Sequence, residues 1–309
     1  MTHQLLVPGL REAPPGDAGQ EIPRHPLLER FIARADAGQI EGGLEDLLMR
    51  AFGLEPGQGA APFCYLAETG KLPESGVLRA HPVHLRADRD RVLLFPLDAS
   101  RLDMEEARQL AGEFNAHFSP DGLALEVVHP HHWYLMADEL PPVRLAPLDQ
   151  VAGRSLAGFL PDAVQGRFWL SVINETQMLF FQSPVNQARE QAGRLPVNGL
   201  WFDGAGRLPR QRPVAPAVVR GGHCLLRGLQ ARAEEARAGE LTLFTAIQQA
   251  LLEQDLSAWL AARQELEALL GSLMKHGQIL LYSCDGYSWH WKPACRHRFW
   301  RVSRPLPWF

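Results

Sequence analysis

Lysine is nearly missing from this chain. Of 31 basic residues only Lys71, Lys275 and Lys292 are lysine, an arginine bias that a GC-rich coding sequence explains without invoking phosphate binding. Charge of one sign is in no large excess either. Charged residues make up 21% of the 309, and a formal net charge of -4 gives no global pull toward nucleic acid or an anionic membrane. No stretch approaches the ~20 apolar residues of a membrane span. Met1-Thr2-His3-Gln4 carries no basic region, and Leu5 to Leu10 is broken by Pro8 and Gly9, so no secretory signal is expected. Cys64, Cys224, Cys284 and Cys295 stand far apart with no C-x-x-C pair, which reads as reduced thiols in a cytoplasm rather than a disulfide framework. Internal repeats and low-complexity tracts are absent too.

What is there is a globular composition. Hydrophobic residues are 46%, and a chain of this length buries roughly three quarters of its unfolded surface without needing disulfides or metals. Gln4 to Val7 predicts a first buried strand ended by Pro8-Gly9. Leu27 to Ile32 and Leu44 to Phe52 have helical spacing, with Gly38 and Gly53 as stops. From about Val83 the texture changes. Strands are expected at Val83 to Arg86 and Arg91 to Phe95, a helix from Met104 to Phe114 capped by Asp103, and strands at Leu123 to Val128 and Trp133 to Met136. Later come an apolar helix from Phe168 to Phe181, a strand at Leu200 to Phe202 and a helix from Cys224 to Arg237. A long helical stretch from Leu241 to Leu273 precedes a strand at Ile279 to Tyr282. Alternating strands and helices at both ends predict a mostly parallel sheet covered on two faces.

Two segments carry a resemblance to a known family. Pro184-Val185-Asn186-Gln187-Ala188-Arg189 leads to Gly193 and to Pro196-Val197-Asn198, then to Gly204-Ala205-Gly206. Upstream stands His81-Pro82-Val83-His84-Leu85-Arg86-Ala87, followed by Glu106-Ala107, Leu110 and Asn115-Ala116-His117-Phe118. In this order they resemble the archaeal-type, cofactor-independent phosphoglycerate mutases of the alkaline phosphatase superfamily, and within them a shorter proteobacterial branch, the RpfE-type regulatory proteins. The resemblance implies an α/β, alkaline-phosphatase-like core with a mostly parallel sheet, from residues 1–78 together with 191–309. It also implies an inserted α+β subdomain at 79–190. Such mutases carry two divalent metals around a Ser nucleophile, because a metal-activated hydroxyl attacks phosphorus while carboxylates and imidazoles hold the metals.

That equipment is not legible here. The resemblance places an Asp-Gly metal ligand where this chain reads Pro8-Gly9. The nucleophile would fall near Gly43-Leu44-Glu45-Asp46, yet no Ser or Thr occurs from Gln39 to Gly53. A late Gly-Asp-His motif would fall on Cys284-Asp285-Gly286, and a mid-chain Asp/His segment on Glu253 to Trp259, where Glu253 and Asp255 stand without a His. The expectation is a non-catalytic, cytoplasmic bacterial protein of regulatory type, with no catalytic residue, metal or cofactor. It would bind a small phosphorylated or carboxylated metabolite, or a protein partner, in the former active-site cleft, and no nucleic acid or membrane. The alternative is an active metal-dependent mutase or phosphohydrolase whose ligands are drawn from Glu45, Asp46, Glu253, Asp255 and Asp285.

The ligand-binding candidates are Asn186, Arg189, Asn198, Arg86 and His84. A guanidinium binds carboxylate or phosphate bidentately, and amides donate to the same oxygens. His84 and Arg86 alternate with apolar residues and should share one sheet face. Other clusters read as structure. His131 and His132 are adjacent and point apart, and the spacing of Cys284, His290, Cys295 and His297 fits no common zinc template. Gly204-Ala205-Gly206 lacks a dinucleotide site's third glycine and reads as a tight turn. The tail from Trp289 to Phe309, with arginines among its aromatics, reads as a final strand and a docked end.

Overall fold

The computed structural model describes residues 2–16, 23–89, 91–97, 102–140, 145–160, 166–275 and 277–303. Among them the elements are, in chain order, β1 (Thr2–Leu6), α1 (Pro26–Arg34), β2 (Asp36–Gln39), α2 (Leu44–Ala51), α3 (Ala61–Thr69), β3 (Gly76–Asp88), β4 (Arg91–Pro96), α4 (Met104–Phe118), β5 (Leu123–His129) and β6 (His132–Ala137). There follow α5 (Leu148–Val151), α6 (Arg167–Gln182), α7 (Pro184–Gln191), β7 (Gly199–Gly206), β8 (Val214–Arg220), α8 (Cys224–Arg232), β9 (Glu235–Leu243), α9 (Ala246–Leu252), α10 (Leu256–Leu273), β10 (Gln278–Tyr282) and β11 (Tyr287–Trp291). The chain divides into two units, Met1–Gly57 with Gln211–Phe309, and Gln58–Arg210.

The first unit is built on a sheet of order β2-β11-β10-β1-β9-β8. β10, β1, β9 and β8 are mutually parallel, and β11 and β2 extend one edge antiparallel. The parallel strands present Leu5, Leu6, Leu241, Ile279 and Leu281 as fully buried residues, the composition of strands covered on both faces. α10 turns Trp259, Ala262, Leu266 and Leu270 inward at helical spacing, and they share a core with Leu5, Phe31 and Trp291. The mostly parallel α/β sheet expected from the sequence is present.

One expectation is corrected. The segments read as helix to Arg237 and helix from Leu241 are interrupted by β9, which lies between β8 and β1. Glu-Ala-Arg-Ala-Gly-Glu-Leu is rich in helix formers, but pairing on both sides overrides that local preference. The long helix is also broken. α9 stops at Leu252, Gln254 takes a left-handed φ of 55°, and Asp255 caps α10 by accepting from Ala258 N.

The second unit holds an antiparallel sheet of order β4-β3-β6-β5, with β7 also paired to β3. α4 begins with a capping box, Asp103 accepting from Glu106 N while the Glu106 carboxylate accepts from Asp103 N. Its inner face, Ala107, Leu110, Ala111, Phe114 and Phe118, packs into the core beneath the sheet. The expected β-β-α-β-β succession is found. Gly204-Ala205-Gly206, read as a tight turn, is instead the end of β7.

Candidate functional site

In open α/β sheets ligands bind outside the carboxyl ends of parallel strands, so the first place to look is where β1 and β10 end. The two run in register, Leu6 opposite Tyr282, and Val7 N donates to Tyr282 O at 2.8 Å. This brings the Pro8-to-Arg11 loop and the Ser283-to-Asp285 loop together. Arg11 Nη1 donates to Asp285 Oδ2 at 3.0 Å, and its guanidinium lies 3.6 Å from the centroid of the Tyr287 ring. Ser283 Oγ donates to the other Asp285 oxygen. Nearby, burial pushes the Tyr282 phenol up, partly offset by the Arg50 charge. Both Asp285 oxygens therefore have donors, and the site's chemistry is an ion pair against an aromatic face.

The other carboxylates of the enzyme reading have local partners. Asp46 accepts from Gly57 N at 2.9 Å, Asp255 from Ala258 N and Ser257 Oγ, and Glu253 from Gln249 Nε2 at 3.0 Å. Those donors hold the Asp255 carboxyl below its ordinary value. Among the described residues no three His, Cys, Asp or Glu side chains gather so as to hold a metal ion.

In the second unit four of the five motif-derived residues converge on one strap, Leu195 to Asn198. Buried Asn186 donates from Nδ2 to Phe180 O and Val197 O, and its Oδ1 accepts from Val197 N, all at 2.8 Å. Asn198 does the same to β3, Oδ1 accepting from Leu85 N at 2.6 Å and Nδ2 donating to Leu85 O at 2.8 Å. Arg189, fully buried, donates from Nε to Leu195 O at 2.9 Å and from Nη1 to Glu106 at 2.6 Å. His84 Nδ1 lies 3.0 Å from Pro196 O. Arg86 stands apart from the strap, exposed, with its guanidinium 4.6 Å from the Phe95 centroid.

Asn115 repeats the device, pairing with both main-chain groups of Leu125. Each of these amides copies the hydrogen bonding of a strand neighbour. Replacing Asn186 by alanine leaves the buried Val197 N–H without its acceptor, and the expected cost is about 1–3 kcal/mol. Urea unfolding should show a lower midpoint with an unchanged slope.

The sequence reading missed the most strongly shifted carboxyl. Asp203 on β7 is 1% exposed, and accepts from Arg79 Nε at 2.5 Å and Leu148 N at 2.8 Å, with His81 Nε2 at 3.2 Å. Burial opposes its ionisation. The Arg79 and His81 charges and the hydrogen bonds from His81 and Leu148 outweigh that, holding the carboxyl well below the usual carboxylate range. Asp149 goes the other way, raised chiefly by burial and then by the Asp203 charge. The cue was a lone Asp directly after the apolar run Leu200-Trp201-Phe202.

Further expectations resolve piecemeal. β6 begins at His132 after a turn at Pro130-His131, and His132 pairs with Glu68 at 3.0 Å. Cys284 and Cys295 are free thiols, but the expectation of reduced cysteines is corrected at Cys64 and Cys224, whose sulfurs are at the disulfide level. Cysteine usage therefore no longer argues for a reducing compartment. Among the described residues no helix is long and apolar enough to cross a membrane. The tail docks through arginine rather than its aromatics: Arg298 reaches Asp36 and Arg34 O, while Phe299 and Trp300 stay exposed. Arg304, Trp308 and Phe309 lie outside the described residues.

Fold and site together define an α/β protein with a mostly parallel sheet whose carboxyl edge carries an ion pair, joined to an antiparallel unit with a buried charge cluster. No family model matches the chain. Two curated proteins do. The 2,3-bisphosphoglycerate-independent phosphoglycerate mutase of Methanosarcina barkeri is 26% identical over 117 residues, 37% of this chain and 29% of that protein. The probable 2,3-bisphosphoglycerate-independent phosphoglycerate mutase of Geobacter sulfurreducens is 22% identical over 222 residues, 67% of this chain and 56% of that protein. The chain is a distant homologue of these mutases, matched over about half or less of their length. Among solved structures, a Pyrococcus horikoshii protein gives a TM-score of 0.48 at 15% identity, covering 94% of this chain and 86% of that one. The cofactor-independent phosphoglycerate mutase from Thermoplasma acidophilum gives a TM-score of 0.38 at 17% identity, covering 94% and 89%.

Proposed function

We propose that this chain is a non-catalytic, phosphoglycerate-mutase-like regulatory protein of the RpfE type that binds a small phosphorylated or carboxylated metabolite, or a protein partner. The observation that carries the reading is the carboxyl edge of the first unit. Pro8 stands where the resemblance asks for a metal-binding Asp, and Asp285, the late motif's surviving carboxylate, is taken up by Arg11 and Ser283. Losing nucleophile and ligands together removes a catalytic unit whose parts act jointly. Among the motif residues, Asn186, Arg189 and Asn198 fix the strap and the register of β3, and exposed Arg86 is the group this reading offers to an anion.

The test is a mutase assay in Mn²⁺ and Mg²⁺ with elemental analysis of the purified protein, followed by calorimetric titration with 3-phosphoglycerate and related acids. The expected results are no turnover, no bound metal, and a ligand response weakened by Arg86→Ala. Turnover abolished by Asp285→Asn, or two bound metals about 4 Å apart, would establish the enzyme reading instead. A flat titration with every acid would remove the metabolite and leave the partner.

A further inference from the structure

β2 is the outermost strand at one end of the first unit's sheet, and among the described residues no strand pairs with its outer edge. Ala37, Gly38 and Gln39 are exposed there. The small side chains of Ala37 and Gly38 leave the main-chain N–H and C=O groups beside them open to approach. Directly before β2 the chain's end segment is fastened down: Arg298 donates to Arg34 O and Asp36, and Arg301 Nη1 donates to Ala35 O at 2.9 Å. Arg296 and Lys292 stand in the same segment, Lys292 Nζ 3.8 Å from Asp36. Three cations, Lys292, Arg298 and Arg301, thus surround a single carboxylate, in a protein whose formal net charge is -4. Phe299 and Trp300, 75% and 67% exposed, add an apolar face edge-on to one another.

We propose that this corner takes an extended, acidic segment of a partner protein as an added strand on β2. An open strand edge offers alternating donors and acceptors, which a peptide main chain matches and a phosphodiester backbone, an acceptor only, does not. The cationic excess selects carboxylates flanking the added strand. Exposed Trp and Arg side by side are the residue types that dominate binding energy at interfaces. The surface shares no residue with the ligand reading at Arg86, and either stands if the other falls.

The probe is a fluorescein-labelled ten-residue peptide of alternating glutamate and valine, followed by anisotropy against the full chain. Binding at low salt is expected, weakened about tenfold or more by Lys292→Glu and about threefold by Trp300→Ala. Both are exposed positions, and circular dichroism confirms the fold. Methylating alternate peptide nitrogens keeps the charge and removes strand pairing, and should abolish binding. A methylated peptide that binds as well, or no binding of the unmodified one, overturns the proposal. Tighter, steeply salt-dependent binding of a twenty-nucleotide oligothymidylate, or dimerisation lost with Lys292→Glu, would reassign the corner to nucleic acid or to a second copy of the chain.

Discussion

Asp203→Ala is expected to lower the unfolding free energy by about 3–5 kcal/mol, because it removes the buried carboxylate that Arg79, His81 and the Leu148 N–H share. Arg79 is only 12% exposed at its side chain, and its Nε is aimed at Asp203. Loss of the carboxylate also strips the acceptor from Leu148 N and the partner from His81. The double variant Arg79→Met with Asp203→Leu should recover much of the loss, since apolar residues of similar volume often replace a buried pair without penalty. The pH dependence has a definite sign. A carboxyl held below its unfolded value contributes stability that is complete above about pH 5, declines as pH falls past about 4, and vanishes below the folded-state value. Asp149, raised instead, works oppositely, and acidification relieves the cost of its ionisation. Urea unfolding at pH 7, 5 and 3 should show the parent-to-variant gap narrowing on the acid side. A gap independent of pH would mean that Asp203 acts by packing alone.

Gly59→Ala is expected to cost about 3 kcal/mol, at the upper end of overpacking penalties. The reason is main chain, not side chain: a Cβ at Gly59 would lie 2.5 Å from Gly204 O and closer still to the Ala205 carbonyl, and Gly206 in turn would meet Gly59 Cα at 2.8 Å. Neither backbone can yield without dislodging the end of β7. The control is Gly112→Ala on α4, where nothing stands within 4 Å of the new methyl. There the same chemical change should stabilise by about 0.5–1 kcal/mol, since alanine is the better helix residue. Thermal unfolding of the two variants should move in opposite directions.

These glycines show where sequence reasoning stops. Gly204-Ala205-Gly206 was visible as a motif, but its purpose, admitting the Gly59 backbone, depends on a residue some 145 positions earlier in the chain. The β-β-α-β-β stretch was legible because period-two alternation and an Asp103 cap are local signals. β2 was not, since Asp-Ala-Gly-Gln has no alternation and becomes a strand only through β11. β9 misled because helix propensity is local and strand pairing is not. The motif asparagines were found by pattern, yet that each amide substitutes for a strand neighbour needed coordinates. The Arg79–His81–Asp203 cluster needed the β3–β7 register, which sets Arg79 opposite Asp203 and no single segment encodes.

The sheet order of the first unit also bears on how the protein is made. β1 lies between β9 and β10, and His3 hydrogen-bonds to Thr242, 239 residues downstream. At a synthesis rate of about 5–20 residues per second, β1 waits roughly 10–50 s for β9 to follow it. During that wait Leu5 and Leu6, destined for full burial, have no sheet to enter, while the uninterrupted segment Gln58–Arg210 emerges with its own strand partners already in sequence. β1 therefore finds both of its sheet neighbours only after β9 and β10 have been made.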